Sequence, residues 1–524
     1  MLGLEFYLEI CEETSLREAI LAALLRHAKA IFRVVGDRSE GKLPVTETSG
    51  IYGGMNSASI LEPVVKLWRL TEDEDCRRFA EHILSTGGSR NADLFGLAYA
   101  DRIAPYAYGE TKAYEMMSCF EGLAEYYAAT GDTVRRDAAL RFGRKIRETD
   151  VTVIGCCGTL SEFFDCSAMR QTRRNESGVM QETCVSVTWM RLCRRLFALD
   201  GDSGWLDEIE KTFYNAYLGA TNTGGCHARN ARLTFLSDAV PTLLAFDSYS
   251  PLIPGVRGVE TGGAQRLADG GYFGCCEAIA SAGAGVLPAS TLWNTGGAIL
   301  LAFYEDGEYE AVTPGGQRFC LSVGGGYPAG LRVSVRLGLD TPEAFSFGVR
   351  IPGWSAVGSV RVNGEEQPFR AGTVCTVRRI WQDGDRLELS FDDRVQLTRA
   401  PVYDRKTVSH IDWSKGRMIP EEIPQEEQAR HYISLRRGPL VLAADRRLGR
   451  DPEQPVPVRT QSGEYPEAEP VGEEITYPCI YACRVRFGGE SVLLTDYSSA
   501  GKSWDSRSEC AAWLPADFEE TTAE

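Results

Sequence analysis

A chain of 524 residues is long enough for about two to four domains and a sizeable core. Its 43% hydrophobic and 25% charged residues are ordinary globular values, which exclude a disordered or membrane-embedded chain. The 56 basic and 73 acidic side chains give a formal charge of -17, which argues against a nucleic-acid or anionic-membrane partner and leaves a neutral substrate such as a sugar compatible.

The N-terminal stretch Met1-Leu2-Gly3-Leu4-Glu5-Phe6 has no basic segment before an apolar core, and Glu5, Glu9, Glu12 and Glu13 break any hydrophobic run. No export signal is read there, and no run of about 18 apolar residues could span a bilayer. The 16 cysteines are then expected as mostly reduced thiols, and the compartment as cytoplasmic.

Ser15-Leu16-Arg17-Glu18 reads as a capping box opening an apolar stripe at Ile20, Ala23, Leu24, His27 and Ile31, with His27 expected as a packed core residue. A second stripe, Ile60, Val64, Leu67 and Trp68, has Pro63 in its first turn and ends at Leu70-Thr71-Glu72-Asp73. Cys76, Phe79, Ala80 and Ile83 begin the helix that returns. The pattern recurs with Met116, Phe120, Leu123 and Tyr127 before Ala129-Thr130-Gly131-Asp132, followed by Val134, Ala138 and Phe142. It recurs again with Trp189, Leu192 and Leu196 before Leu199-Asp200-Gly201-Asp202, followed by Trp205, Ile209, Phe213 and Tyr217.

Three helix, turn, helix units spaced by about 60 to 70 residues imply helical hairpins packed side by side, which close into an α/α barrel. A ring of about six hairpins needs more helices than the roughly eight this periodicity yields, so either some escape the pattern or the chain starts inside the barrel.

From about Thr295 the period changes to 2. Leu331, Val333, Val335 and Leu337 alternate with Arg332, Ser334 and Arg336, as Leu387, Leu389 and Phe391 do with their polar neighbours. Asn363-Gly364 and Asp383-Gly384-Asp385 are the turns between such strands. The expected fold is therefore multidomain α and β: an α/α barrel over residues 1–292, a β-sandwich over 293–400, and a second β-sandwich or C-terminal β domain over 401–524. A charged stretch from Asp404 to Arg430 reads as a linker, and a Pro/Glu-rich one from Arg450 to Pro478 as a long loop.

The chemistry concentrates in Gln181-Glu182-Thr183-Cys184 and in Gly270-Gly271-Tyr272-Phe273-Gly274-Cys275-Cys276-Glu277. Three cysteines and a carboxylate make a four-ligand set of the kind that holds a tetrahedral zinc ion. Glu182 and Cys184 stand at i and i+2, so they reach one metal only if their segment is a helix start or locally extended. The adjacent pair Cys275-Cys276 faces the same difficulty, which Gly270, Gly271 and Gly274 could relieve ahead of a helix at Glu277-Ala278-Ile279-Ala280. A cysteine at a helix N-terminus beside a metal is held as thiolate, and so can be ligand and nucleophile at once. The competing reading is that free cysteines are small core hydrophobes, and it is the one adopted for Cys166, Cys193 and Cys226. The spacing is not a CxxC pair, and the pattern alone leaves both readings open for Cys184, Cys275 and Cys276.

On these residues the chain resembles the zinc-dependent β-L-arabinofuranosidases of glycoside hydrolase family 127 and their relatives. Their Glu-Thr-Cys motif matches Glu182-Thr183-Cys184, and their Cys-Cys motif matches Cys275-Cys276. The similarity continues through Leu123 to Asp132, through Arg350-Ile351-Pro352-Gly353-Trp354, through Val362-Asn363-Gly364 and through Arg437-Gly438-Pro439-Leu440-Val441. The resemblance implies an α/α-barrel catalytic domain with β-sandwiches behind it, and a retaining double displacement. Cys275 would be the nucleophile, with zinc held by Glu182, Cys184, Cys275 and Cys276. Glu162, after Gly155-Cys156-Cys157-Gly158, occupies the place of the acid/base glutamate, with Glu176 the competitor.

The implied partner is a small oligosaccharide or glycoside, probed as an L-arabinofuranoside or a related furanoside, with no nucleic acid, no membrane and a homodimer as the assembly to test. The sequence departs from the family in its histidines, which are only His27, His82, His227, His410 and His431, and the helix before the acid/base loop reads Tyr114-Glu115-Met116-Met117-Ser118. The N-terminus also reads as short of the family's first helices. Tyr114, Glu115 and Asn56 are further polar candidates for the pocket. The alternative function is a catalytically silent scaffold, stabilised by zinc, whose barrel binds carbohydrate. A Cys/His hydrolase is disfavoured, because no histidine except His227 lies near either cysteine segment.

Overall fold

The computed structural model describes residues 1–155, 157–158, 162–172, 181–221, 227–228, 242–243, 246, 249–257, 265–266, 272–273, 275–295, 297–401, 407–412, 417–422, 431–459, 465–472, 475–503 and 507–519. Its first half is helical: α1 (Leu2–Ile10), α2 (Thr14–Phe32), α3 (Met55–Ala58), α4 (Leu61–Thr71), α5 (Glu74–Ser85), α6 (Leu94–Ala100), α7 (Ala113–Thr130) and α8 (Thr133–Thr149). There follow α9 (Ser167–Arg170), α10 (Thr183–Asp200), α11 (Gly204–Thr212), α12 (Leu218–Ala220), α13 (Cys275–Ala284) and α14 (Val286–Thr291).

The three expected hairpins are α4 with α5, α7 with α8, and α10 with α11. Their turns work as the residues dictate. Gly131 ends α7 in the left-handed region at φ 74°, and the Asp132 carboxylate accepts from the Val134 and Arg135 amides to cap α8. Gly201 ends α10 in the same way at φ 70°. At the first hairpin Glu72 takes the left-handed position without being a glycine, and Asp73 caps α5 through the Asp75 and Cys76 amides.

The helices α4, α7, α10 and α13 pack in succession as inner staves of an α/α barrel, with the return helices behind. Close approach on the inner row needs small residues: a methyl on Gly283 of α13 would stand 2.9 Å from a Val187 methyl of α10. The Tyr217 hydroxyl donates to the Ala280 carbonyl at 2.9 Å and fixes α13 further.

Several helices escape the periodicity reading because they are short or, like α1, carry a glutamate on the buried face: Glu5 is only 3% exposed. The capping box at Ser15 is not made. The helix starts two residues earlier, at Thr14 with Glu13 as N-cap, and the Ser15 hydroxyl donates to the Glu13 carboxylate at 2.6 Å. His27 is exposed, since α2 buries Ile20, Leu24, Ala28 and Phe32, a stripe turned by one residue from the expected one.

The second half is built from β-sheets. One six-stranded sheet runs in the order Glu365–Gln367, Ser359–Val362, Arg386–Ser390, Arg332–Leu339, Arg318–Gly324, Gly307–Val312. A four-stranded sheet runs Thr373–Trp381, Glu343–Ile351, Ala298–Leu301, Leu292–Asn294. The expected alternation is met in register, with Val333 opposite Leu389 and Val335 opposite Leu387, all four buried. Asn363 and Gly364, both at positive φ, make the two-residue hairpin turn.

A third sheet collects the C-terminal strands, including Val395–Arg399, His431–Arg437, Leu440–Asp445, Ala482–Phe487, Glu490–Asp496 and Leu514–Glu519. The stretch read as a linker contains a ladder between Thr407–Asp412 and Arg417–Glu422, and the stretch read as a long loop contributes Val456–Arg459 and Ala468–Pro470. Their charged or proline-containing sequences carry no clear apolar alternation.

Two devices bind the halves together. Arg350 is fully buried and reaches from the sandwich to Asp207 and Glu210 of α11. Arg257 donates to the carbonyls of Ala500, Tyr497 and Gly219, while Gly255–Val256 pairs with Glu509–Ala511. The C-terminal sheet therefore braces the segment that includes Tyr249 and Ser250.

Candidate active site and metal centre

Both cysteine motifs are helix starts, which removes the spacing obstacle. Glu182 is the N-cap of α10 with extended backbone, φ −71° and ψ 137°, and Cys184 lies in the first turn. Gln181 stands at φ 64°, its amide donates to the Gly158 carbonyl at 3.1 Å, and its carbonyl accepts from Ser250 at 3.3 Å. Glu182 and Tyr249 form an antiparallel bridge. Cys275 and Cys276 are the first two residues of α13, which packs on α10.

The ligand atoms of Glu182, Cys184, Cys275 and Cys276 all lie within 4.8 Å of one another. The Cys184 and Cys276 sulfurs are 3.4 Å apart, those of Cys275 and Cys276 are 3.9 Å apart, and Cys276 Sγ is 3.7 Å from Glu182 Oε1. A tetrahedral ion with sulfur bonds of about 2.3 Å and an oxygen bond of about 2.1 Å would set edges of about 3.8 Å between sulfurs and about 3.6 Å from sulfur to oxygen. The three separations about Cys276 match within about 0.4 Å, and three sulfurs with one carboxylate are a donor set that suits a thiophilic divalent cation. The residues fit a metal ion. Cys184, Cys276 and Glu182 are buried, and Cys275 alone of the four is exposed.

The electrostatics of the cluster point the same way. Hydrogen bonds from Cys184 and then Cys276 hold the Cys275 thiol down to about 3. Cys184 is pushed up, first by its hydrogen bonds to Cys275 and Cys276 and then by burial. For Cys276 the bond with Cys184 pulls downward, but the bond to Cys275 and burial carry it well above a normal thiol. Burial, with Glu162 and Cys275 adding, raises Glu182 well above the carboxylate range against the pull of Lys112. Four anionic donors this close together would repel one another, and a divalent ion would let all four be anions.

Glu162 is brought to the same wall. Its carbonyl accepts from the Ala113 amide at 2.8 Å, the Phe164 amide donates to Thr111 at 2.8 Å, and Lys112 pairs with Phe163 across this short ladder. The Asp150 carboxylate, buried, shapes the chain just after it by accepting from the amides of Asp165, Cys166 and Ser167. The Glu162 carboxylate takes a hydrogen bond from the Tyr249 hydroxyl at 3.1 Å on one oxygen and the Lys112 ammonium on the other. Tyr249 thus bridges the two parts of the site, through its side chain to Glu162 and through its backbone to Glu182.

Lys112, Tyr249 and Tyr52 were not singled out in the sequence. The Lys112 ammonium also pairs with Glu115 at 3.6 Å and faces the rings of Tyr52 and Phe163 at 5.7 and 5.8 Å. Tyr52 sits in the left-handed region at φ 48°, a position a tyrosine rarely takes. Lys112 stands two residues before Tyr114, at the head of the helix on which the family resemblance implies a histidine, and that was the available signal. Tyr249 had none, because it lies in an irregular stretch far from both motifs.

Of the other candidates, Tyr114 is near the cluster: burial, and next the charge of Cys184, raise its hydroxyl to about 12. Glu115 belongs to the Lys112 wall, whereas Asn56 is exposed on α3. Cys193 is a fully buried core residue and Cys166 is half-buried. Glu176, Cys226, Gly270, Gly271 and Gly274 lie outside the described residues.

The family model described as beta-L-arabinofuranosidase, GH127 catalytic domain, matches residues 4–228, and that of the GH127 middle domain matches residues 299–393. The chain belongs to glycoside hydrolase family GH127. The matched segments of this GH127 chain contain Glu162, Glu182 and Cys184 and stop short of Cys275 and Cys276, so the place of the cysteine pair rests on the geometry above.

Among solved structures, a GH127 beta-arabinofuranosidase superposes with a TM-score of 0.64 at 19% identity, covering 96% of this chain and 74% of that one. A GH127 beta-L-arabinofuranosidase from Geobacillus stearothermophilus T6 superposes with a TM-score of 0.63 at 17% identity, covering 96% and 77%. A third protein, described as a glycoside hydrolase, gives 0.60 at 18% identity over 88% and 75%. These likenesses establish the shared fold. No curated protein sequence matches the chain.

Proposed function

We propose that this GH127 chain is a retaining glycosidase in which Cys275 is the nucleophile, Glu162 the acid/base, and Glu182, Cys184, Cys275 and Cys276 the ligands of a zinc ion. The observation that carries the reading is that one sulfur of a four-donor cluster is exposed while the other three donors are buried. The bound ion would neutralise the thiolates and keep Cys275 anionic at neutral pH.

In the first step the Cys275 sulfur attacks the anomeric carbon, the carbon–oxygen bond to the leaving group breaks, and Glu162 gives its proton to the departing oxygen. In the second, water attacks the same carbon, its proton passes to Glu162, and the sulfur leaves as thiolate. Two inversions retain the configuration. The substrate class we propose is an L-arabinofuranoside or related furanoside, in line with the named activity of the structural neighbours. The described histidine side chains do not line this site: His27 is exposed, His82 accepts from the Val45 amide, and His431 lies on a C-terminal strand. We propose that Tyr52 and the site carboxylates meet the sugar. A reducing, cytoplasmic compartment is part of the proposal, in keeping with described cysteines that form no disulfide with one another. No described helix is long and apolar enough to cross a membrane.

The purified protein should carry about one zinc per chain and hydrolyse an aryl β-L-arabinofuranoside. Cys275→Ser should abolish turnover with zinc near its original level, and unchanged turnover would remove the nucleophile assignment in favour of a silent scaffold. Glu162→Gln should slow substrates with poor leaving groups by about 10²- to 10⁴-fold and good ones far less. An equal loss on both would move the acid elsewhere.

A further inference from the structure

We propose that Lys112 is a positioning residue for the second half of the hydrolysis, keeping the Glu162 carboxylate aimed at the reaction centre as the base while water displaces the sulfur. This rests on the roles given above to Cys275 and Glu162.

Several observations carry it. The Lys112 side chain is 8% exposed and that of Glu162 is 18% exposed, so their ion pair is shielded from water and worth more than a surface pair. Backbone pairing between residues 111–113 and 162–164 sets both side chains on one short ladder, which leaves the ammonium little freedom to leave the carboxylate. The rings of Tyr52 and Phe163 flank the ammonium, and Glu115 takes another of its directions. Tyr249 holds the remaining Glu162 oxygen. The carboxylate is thus fixed at both oxygens before any substrate arrives.

The two chemical steps ask opposite things of Glu162. In the first it must carry a proton, and an ammonium against its oxygen does not help. In the second it must be an anion: water forms a bond to the anomeric carbon, the carbon–sulfur bond breaks, its electron pair stays on sulfur, and the water proton goes to Glu162. An ammonium bonded to one carboxylate oxygen aims the group at the incoming water. A Lys112 that only tied the N-terminus of α7 to the Glu162 loop would affect both steps alike.

The test uses the full-length protein loaded with zinc and a nitrophenyl furanoside, whose good leaving group makes breakdown of the glycosyl-enzyme the step that limits kcat. Lys112→Met should lower kcat by about 10- to 100-fold, a share of what the whole acid/base group supplies, with KM falling in parallel so that kcat/KM moves less than about threefold. Intact-protein mass spectrometry should show a sugar adduct on Cys275 that, once substrate is removed, decays about 10- to 100-fold more slowly in the variant than in wild type. Lys112→Arg should restore most of kcat. Lys112→Gln keeps a donor without the charge and should show the same split, which serves if the methionine variant does not fold.

Equal losses in kcat and kcat/KM, no adduct in the variants, or an arginine variant as slow as methionine would overturn the role. Failure of the underlying reading looks different: trapping with a slow substrate would leave Cys275 unmodified in wild type itself, and the Lys112 role would fall with it. A trapped wild-type adduct with an unchanged kinetic ratio in the variants would remove Lys112 alone.

Discussion

Two buried charge clusters in this molecule are built from similar residues and do opposite things. At the joint between barrel and sandwich, the Arg350 guanidinium donates to Asp207 Oδ1 at 2.6 Å, to the Ala302 carbonyl at 2.8 Å and to Glu210. The remaining carboxylate positions are taken by the Gly353 amide, the Trp354 indole and the Tyr327 hydroxyl. At the mouth of the barrel, one ammonium, Lys112, stands among Glu162, Glu115 and Glu182, with three sulfurs beside them. The first cluster closes on itself and the second is left with surplus negative charge in an open position. Closed networks fasten, whereas unbalanced ones are where a cation and a substrate are to be received.

The strongest way to break the comparison is to remove the proposed ion. Chelation should abolish glycoside hydrolysis and, if free zinc normally stands about a thousandfold above its Kd, lower stability by about 4 kcal/mol. The check is activity together with a thermal or denaturant melt, with zinc added back to restore both. A chelated protein that melts and turns over as before would make the mouth cluster as self-contained as the joint.

Next in size, Arg350→Met should cost about 3–5 kcal/mol in a denaturant melt, because it leaves Asp207 and Glu210 buried against no cation. The folded fraction should keep its zinc content and kcat, since Arg350 touches nothing at the mouth. A loss of zinc with intact stability would merge the two clusters into one system. The smallest effect is expected at Cys193, which is fully buried away from the other sulfurs. Cys193→Ala should cost only about 1 kcal/mol, with zinc per chain unchanged; a lower zinc count would make it a fifth participant.

Much of this was legible in the residues. The turns at Gly131-Asp132 and Gly201-Asp202 could be read because a left-handed glycine and a capping carboxylate act within a few positions of themselves. The strands could be read because burial on one face enforces alternation. His27 was misplaced because an amphipathic stripe fixes the buried side of a helix only to within about one residue's rotation, and tertiary packing chose Ala28. The Ser15 cap failed for a related reason, since a start shifted by two residues turns an N-cap serine into a first-turn serine.

The motif residues Arg350 to Trp354 and Arg437 to Val441 were seen as family resemblance without a role. In the fold they fasten the halves: the Arg350 network is one clasp, and Asn215 is the other, donating to the Pro439 carbonyl at 2.9 Å and accepting from the Val441 amide at 2.8 Å.

What the amino-acid order alone determined is the inventory: three thiols and a carboxylate of the right chemistry, a glutamate after a glycine-rich turn, hairpins, and alternating strands. These follow from the side chain and its immediate neighbours. Only the packed structure decided that Cys275 is the sulfur left open, that Cys184 and Cys276 are covered, and that Lys112 and Tyr249 hold Glu162. Solvent access and convergence depend on how α7, α10, α13 and the Tyr249 segment meet, and the sequence positions of those segments carry no trace of that meeting.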